Sequence, residues 1–132
     1  MAERETFRVD VAGLQRDLPL FEVSPGVKIA ILNILGDTEL VQAAAKELAQ
    51  KLKKEPVNVL VTAEAKSMPL IYALSVELGL PYVVLRKSYK PYMGVALRSV
   101  TFSITTGQPQ NLYLDEKDRD VQPFGRRHED AG

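Results

Sequence analysis

Three observations in this sequence predict an α/β fold built on a parallel strand pair. Val57-Asn58-Val59-Leu60-Val61 is a short β-branched run, Leu70, Ala73, Leu74 and Leu78 recur at helical spacing, and Tyr82-Val83-Val84-Leu85 is a second apolar run. Between 56 and 87 they fit one strand–helix–strand unit of about the size that a parallel crossover needs. The first run lies between Pro56 and the small polar cluster Thr62-Ala63-Glu64-Ala65-Lys66-Ser67, and it reads as a buried strand. Pro69 suits a first helical turn, Gly79 a left-handed cap, and Pro81 stops continuation.

The other elements follow in chain order. Val9 and Val11 alternate with polar neighbours, Leu18-Pro19-Leu20-Phe21 follows, and Ser24-Pro25-Gly26 separates two apolar stretches. This spacing predicts a hairpin or small flap over 7–36. A side-chain oxygen at Asp37 or Thr38 can satisfy the free amides of a first helical turn. Leu40, Val41, Ala44, Leu48 and Leu52 then carry the apolar stripe of a helix that ends near Lys53. Beyond the crossover unit, Tyr89-Lys90-Pro91-Tyr92-Met93-Gly94 reads as an exposed loop punctuated by Pro and Gly. Leu97, Val100, Phe102 and Ile104 form a strand, Thr105-Thr106-Gly107-Gln108-Pro109 a turn, and Asn111-Leu112-Tyr113-Leu114 a returning strand. Residues 88–115 therefore read as a projecting hairpin, and 88–110 are expected to be more mobile than the crossover unit. From Arg119 onward there is no periodicity, and 117–132 is expected to be a disordered tail.

Composition bounds the function. The 132 residues suit one globular domain, and 17 Lys and Arg balance 17 Asp and Glu. That balance excludes a global field drawing the protein to nucleic acid or an anionic membrane, so any anion site is local. With no cysteine there are no disulfides, thiolate metal sites or cysteine nucleophiles, and the cytoplasm is the expected compartment. Residues 1–9 have no apolar core and read as neither a secretory signal nor a membrane span.

In open parallel sheets ligands bind beyond the carboxyl ends of the strands. Here these ends are 62–67 and 86–90. The first leads into a helix amino terminus, whose amides and dipole favour an anion, and the second supplies Arg86, Lys87 and Lys90. Phosphate or pyrophosphate could be held between them. The same three cations read equally as a solvated loop, and Tyr89 and Tyr92 read either as gating residues or as loop packing.

Six segments follow in order: Glu64-Ala65-Lys66-Ser67-Met68-Pro69-Leu70, Glu77-Leu78-Gly79-Leu80-Pro81, Val84-Leu85-Arg86-Lys87, Lys90-Pro91-Tyr92, Ser103-Ile104-Thr105-Thr106-Gly107 and Leu112-Tyr113-Leu114-Asp115. As a series they resemble the purine phosphoribosyltransferases of the type I fold, nearest the adenine and xanthine branch. The resemblance covers roughly residues 7–116. It implies transfer of a phosphoribosyl group from phosphoribosyl pyrophosphate to a purine base, in nucleotide salvage, by a homodimer that uses Mg2+. It also implies that Glu64, Ala65, Lys66 and Ser67 hold pyrophosphate through their backbone, with an unusual cis peptide within Ala65-Lys66-Ser67. Arg86, Lys87 and Lys90 would contact pyrophosphate, and the hairpin with Tyr89 and Tyr92 would be the lid. Such chemistry needs fixed amides and cations at the leaving group and no nucleophilic side chain, so no catalytic residue is assigned. His128, the sole histidine, lies in the polar tail.

The sequence also departs from the family's pattern. Type I enzymes follow the lid with a short apolar strand, two adjacent acids that bind the ribose hydroxyls, and a Thr-Gly-rich loop for the 5′-phosphate. Asp115-Glu116-Lys117-Asp118 lacks the strand before it and the glycine loop after it, and matches the connector. Residues 1–116 thus read as an incomplete, carboxyl-terminally truncated domain with weak or no activity when isolated. The alternatives are an inactive regulator that binds pyrophosphate or purine and a fragment of a truncated or frameshifted reading frame.

Overall fold

A computed structural model describes residues 4–102 and 107–121. Its elements are β1 (Thr6–Val11), β2 (Leu14–Ser24), β3 (Val27–Ala30), α1 (Thr38–Leu52), β4 (Leu60–Ala63), α2 (Met68–Leu78), β5 (Tyr82–Leu85), β6 (Leu97–Phe102) and β7 (Pro109–Leu114). The fold is α/β: β4 and β5 pair in parallel, with α2 as the connection between them.

The flap has three strands instead of the two of a single hairpin, in the order β1-β2-β3, all antiparallel. The additional turn is Ala12-Gly13, with φ of +53° and +83°. Two successive positive φ values match the right-handed twist of flanking strands, and Asn-Gly or Asp-Gly would have signalled such a turn more strongly than Ala-Gly does. Asp10 supports it by accepting from the Gly13 amide at 3.1 Å.

Helix α1 begins at the expected cap, where the Asp37 carboxylate accepts from the Leu40 amide at 3.2 Å. Its buried face is Leu40, Val41, Ala45 and Ala49, turned by about one residue from the expected stripe. Two alanines allow α1 to approach α2 closely, and Ala45 and Ala49 form the core with Leu60, Ile71 and Leu74. Leu48 instead faces an apolar cleft toward the flap. Helix α2 ends on Gly79 in the left-handed conformation, with φ +66°, as the sequence predicts.

Strand β4 is shifted along the chain from the apolar run 57–61. Its ladder starts at Leu60, because β5 starts at Tyr82 and the two pair Leu60↔Tyr82 through Ala63↔Leu85. An apolar run shows which residues seek the core, and the partner strand decides which of them form the ladder. Val57 still packs against the core from outside the strand. The strand is not buried throughout, because Val61 is 56% exposed and β4 has only β5 as neighbour among the described strands.

The hairpin β6–β7 is antiparallel from Leu97↔Leu114 to Phe102↔Pro109. It joins the end of β5 through a bridge in which the Arg86 and Tyr113 amides and carbonyls exchange bonds of 2.9 and 2.8 Å. Residues 103–106, holding Ile104 and the first two residues of the expected turn, lie outside the described residues. The loop before β6 is not exposed throughout: Pro91–Met93 form a 3₁₀ turn with Met93 at 0% exposure, whereas Tyr92 is 72% exposed. The expected disordered tail begins too early at 117. Glu116–Asp118 form a second 3₁₀ turn, because the Asp115 side chain accepts from the Lys117 amide at 3.0 Å. The remainder, 122–132 with His128, lies outside the described residues. Among the described residues no helix is long and apolar enough to cross a membrane.

Candidate functional site

The loops that end β4 and β5 meet, and Glu64 joins them. Its amide donates to the Leu85 carbonyl at 3.1 Å, as an extension of the β4–β5 ladder. Its carboxylate accepts from the Lys87 amide at 2.6 Å and from Arg86 Nε at 3.3 Å. These donors hold the carboxyl below the usual glutamate pKa, with the Lys87 amide the largest cause and burial opposing it. Arg86 is held more firmly in its charged form, first by a hydrogen bond to Tyr92 and then by the charge of Glu64.

The next residues turn the chain into α2. The peptide joining Glu64 and Ala65 is cis, one bond before the segment to which the resemblance assigns it. Ser67 is the helix cap residue, and its hydroxyl bonds with that of Thr62 and with the Ala63 carbonyl at 3.3 Å. The Ala65 carbonyl accepts from the Met68 amide at 3.2 Å and the Ser67 carbonyl from the Ile71 amide at 3.0 Å. Among the described residues nothing accepts from the amides of Ala65, Lys66 and Ser67. Three successive unpaired amides at a helix amino terminus are the arrangement that receives an anion.

Of the seven residues expected to bind pyrophosphate, Glu64 and Arg86 line one cleft of about 550 Å³. Met68, Tyr82, Val84, Asp115, Lys117 and Asp118 line the rest. Ala65, Lys66, Lys87 and Lys90 are exposed and outside that lining, and half-buried Ser67 is outside it too. The sequence carried one sign of the far wall, the acidic stretch at 115–118. The Tyr89 hydroxyl donates to the Gly94 carbonyl at 2.7 Å, and its ring lies 5.9 Å from that of Tyr113. Tyr89 is thus tied to the base of the hairpin.

Among the described residues, the cleft does not offer the oxygen ligands that the Mg2+ implied by the resemblance would need, since no three acidic or histidine side chains converge. Asp115 caps its turn and Asp118 pairs with Lys117 at 2.7 Å, so the donor set does not fit a metal held by these residues.

The architecture is also found in known structures. The APRTase of Giardia lamblia superposes with a TM-score of 0.61 at 19% identity, over 87% of this chain and 64% of that one. The chain has the type I fold of the purine phosphoribosyltransferases. The adenine phosphoribosyltransferase of Saccharomyces cerevisiae shares this phosphoribosyltransferase fold at a TM-score of 0.54 and 18% identity, over 74% of this chain and 58% of that one. By sequence, the chain is 29% identical over 95 residues to a purine biosynthesis transcriptional repressor of Bacillus subtilis, covering 72% of this chain and 33% of the repressor. It is 28% identical over 93 residues to a xanthine phosphoribosyltransferase of Finegoldia magna, covering 66% of this chain and 49% of that enzyme. The chain thus spans a third to a half of the length of these two relatives. No family model matches it.

The Glu64 contacts make stability depend on pH. A carboxyl whose pKa is lowered on folding contributes stability above its unfolded value, about 4.3 for glutamate, and loses it as pH falls through the folded value. Glu64→Gln should therefore lower the melting temperature at neutral pH. The gap to the unsubstituted protein should narrow from about pH 4.3 downward. Thermal melts at several pH values check this, and a gap independent of pH would show that the charge of Glu64 is immaterial.

Proposed function

We propose that the loops ending β4 and β5 bind the diphosphate of phosphoribosyl pyrophosphate, and that the chain is the diphosphate-binding part of a purine phosphoribosyltransferase of nucleotide salvage. The observation that carries this reading is the row of unpaired amides at Ala65, Lys66 and Ser67, opening α2 beside a loop fixed by Glu64. The phosphoribosyltransferase fold and the likeness to purine enzymes support it.

In the proposed reaction the bond from the ribose anomeric carbon to the diphosphate oxygen breaks. A bond from that carbon to a purine nitrogen forms, and the nitrogen loses its proton. Negative charge accumulates on the leaving diphosphate. The three amides, Lys66 and the positive end of α2 meet it from the first loop, and the exposed cations Lys87 and Lys90 from the second. Arg86 keeps Glu64 as partner and presents the remaining nitrogens of its guanidinium. Glu64 acts as a positioning residue, because its carboxylate is committed to the second loop and its amide to β5.

Isothermal calorimetry with pyrophosphate tests the site. Arg86→Ala and Lys87→Ala should each weaken binding by about tenfold or more, since a hydrogen bond to a charged group contributes roughly 1.5–3 kcal/mol. Unchanged affinity in both variants would overturn the placement. A second reading, a regulator that binds the same diphosphate without turnover, is favoured by the likeness to the Bacillus subtilis repressor. Incubation with phosphoribosyl pyrophosphate, Mg2+ and each purine base tests the transferase reading: nucleotide formation supports it and excludes a regulator without turnover.

A further inference from the structure

Independently of the diphosphate site, the way the flap is attached points to a conformational device. The flap strands make extended contacts only with one another, and none packs broadly on α1, α2 or the parallel pair. Between flap and α1 lies an apolar cleft of about 360 Å³, walled by Val11 and Ala12 on one side and by Leu40, Ala44 and Leu48 on the other. The joining segment 31–36 has no helix or strand.

Outside this cleft, Arg16 of β2 reaches the start of α1. Its Nε lies 2.8 Å from Asp37 Oδ2, one Nη 3.1 Å from Asp37 Oδ1, and the same Nη 3.0 Å from Glu39 Oε1. Its other Nη donates to the Gln15 carbonyl at 2.9 Å, which orients the guanidinium. The two-point contact with Asp37 fixes direction as well as distance. The other flap ion pairs, Arg8 with Asp17 and Lys28 with Glu5, lie within the flap or its lead-in strand. Among the described residues, Arg16 makes the ion pairs that join flap to body. Asp37 is also the α1 cap, so the flap is tied to the start of the first core helix.

We propose that Arg16, Asp37 and Glu39 form a clasp that sets the angle of the flap over α1, and that its release lets the flap swing on residues 31–36 and change the width of the apolar cleft. The side chains of Arg16 and Asp37 keep 28% and 27% of their exposure. Water therefore reaches the pair, so the clasp can open and re-form without leaving an unhydrated charge.

The absence of cysteine allows a direct test. Spin labels at Ser24→Cys in the flap and Gln50→Cys on α1, both exposed positions, report the distance between the two by pulsed electron resonance. Arg16→Gln breaks the clasp on the flap side. Asp37→Ser combined with Glu39→Gln breaks it on the helix side while retaining a good capping residue. Both should broaden the distribution and add a second distance, whereas Arg8→Gln, which breaks a pair inside the flap, should leave it as in the parent. Circular dichroism establishes that each variant is folded, and should Arg16→Gln not fold, the double variant decides. A parental distribution in either folded clasp variant overturns the proposal.

Discussion

Met93→Ala is expected to destabilise the protein by about 2–5 kcal/mol, the range for removing a buried methionine side chain. Met93 is fully buried, although it lies between two flanking residues, Tyr92 and Gly94, in a turn of three residues. Its amide donates to the Lys90 carbonyl at 2.9 Å and its sulfur accepts from the Lys90 amide at 3.3 Å, so side chain and turn hold each other. Alanine removes the sulfur acceptor and the apolar filling together. Tyr92→Ala, at a position 72% exposed, should cost less than about 1 kcal/mol. Urea unfolding of the two variants checks the contrast, and equal midpoints would show that Met93 is not an anchor. Lys90 lies in the same turn, so Met93→Ala should also weaken pyrophosphate binding if Lys90 contributes to it.

What the sequence made legible was set by how local each signal is. The cap at Asp37, the end of α2 at Gly79 and the β6–β7 pairing depend on residues close in the chain, and all three are where the sequence predicts them. Features that depend on a distant partner were displaced. The ladder of β4 starts three residues late, since β5 determines it, and the buried face of α1 turns toward Ala45 and Ala49, since α2 can approach only over small side chains. Met93 gave no signal because a lone methionine between Tyr and Gly has no periodicity.

The candidate site divides in the same way. Its two loops were legible, because strand ends in a parallel unit gather ligand-binding residues. The bond from the Lys87 amide to Glu64 spans 23 positions and has no sequence signature, and it makes the Glu64 side chain a brace between the loops. Arg16 and Asp37, 21 positions apart, were missed for the same reason. Arg16 reads singly as an ordinary surface charge and Asp37 as a helix cap, and only the tertiary fold brings them together.

Leu74→Ala should have an effect of similar size to that of Met93→Ala, again about 2–5 kcal/mol. Leu74 is 8% exposed and belongs to the cluster with Ala45, Ala49, Leu60 and Ile71, where α1, α2 and β4 meet. Two alanines in that cluster bring the α1 backbone close, so little side-chain volume is at hand to refill the space and the cost should lie toward the upper end. A domain of this size is commonly stable by about 5–15 kcal/mol, so the loss takes a large share of the total. Val76→Ala, two residues along the same helix at 62% exposure, should stay within about 0.5 kcal/mol. The consequence reaches the candidate site because α2 carries the amides of Ala65, Lys66 and Ser67 at its start. Destabilising the α2 packing should lower apparent pyrophosphate affinity as the folded fraction falls, and saturating pyrophosphate should raise the melting temperature of Leu74→Ala in return. Thermal melts with and without pyrophosphate measure both effects. A melting temperature for Leu74→Ala equal to that of Val76→Ala would place the core elsewhere, and a destabilised variant that pyrophosphate does not rescue would detach the anion site from α2.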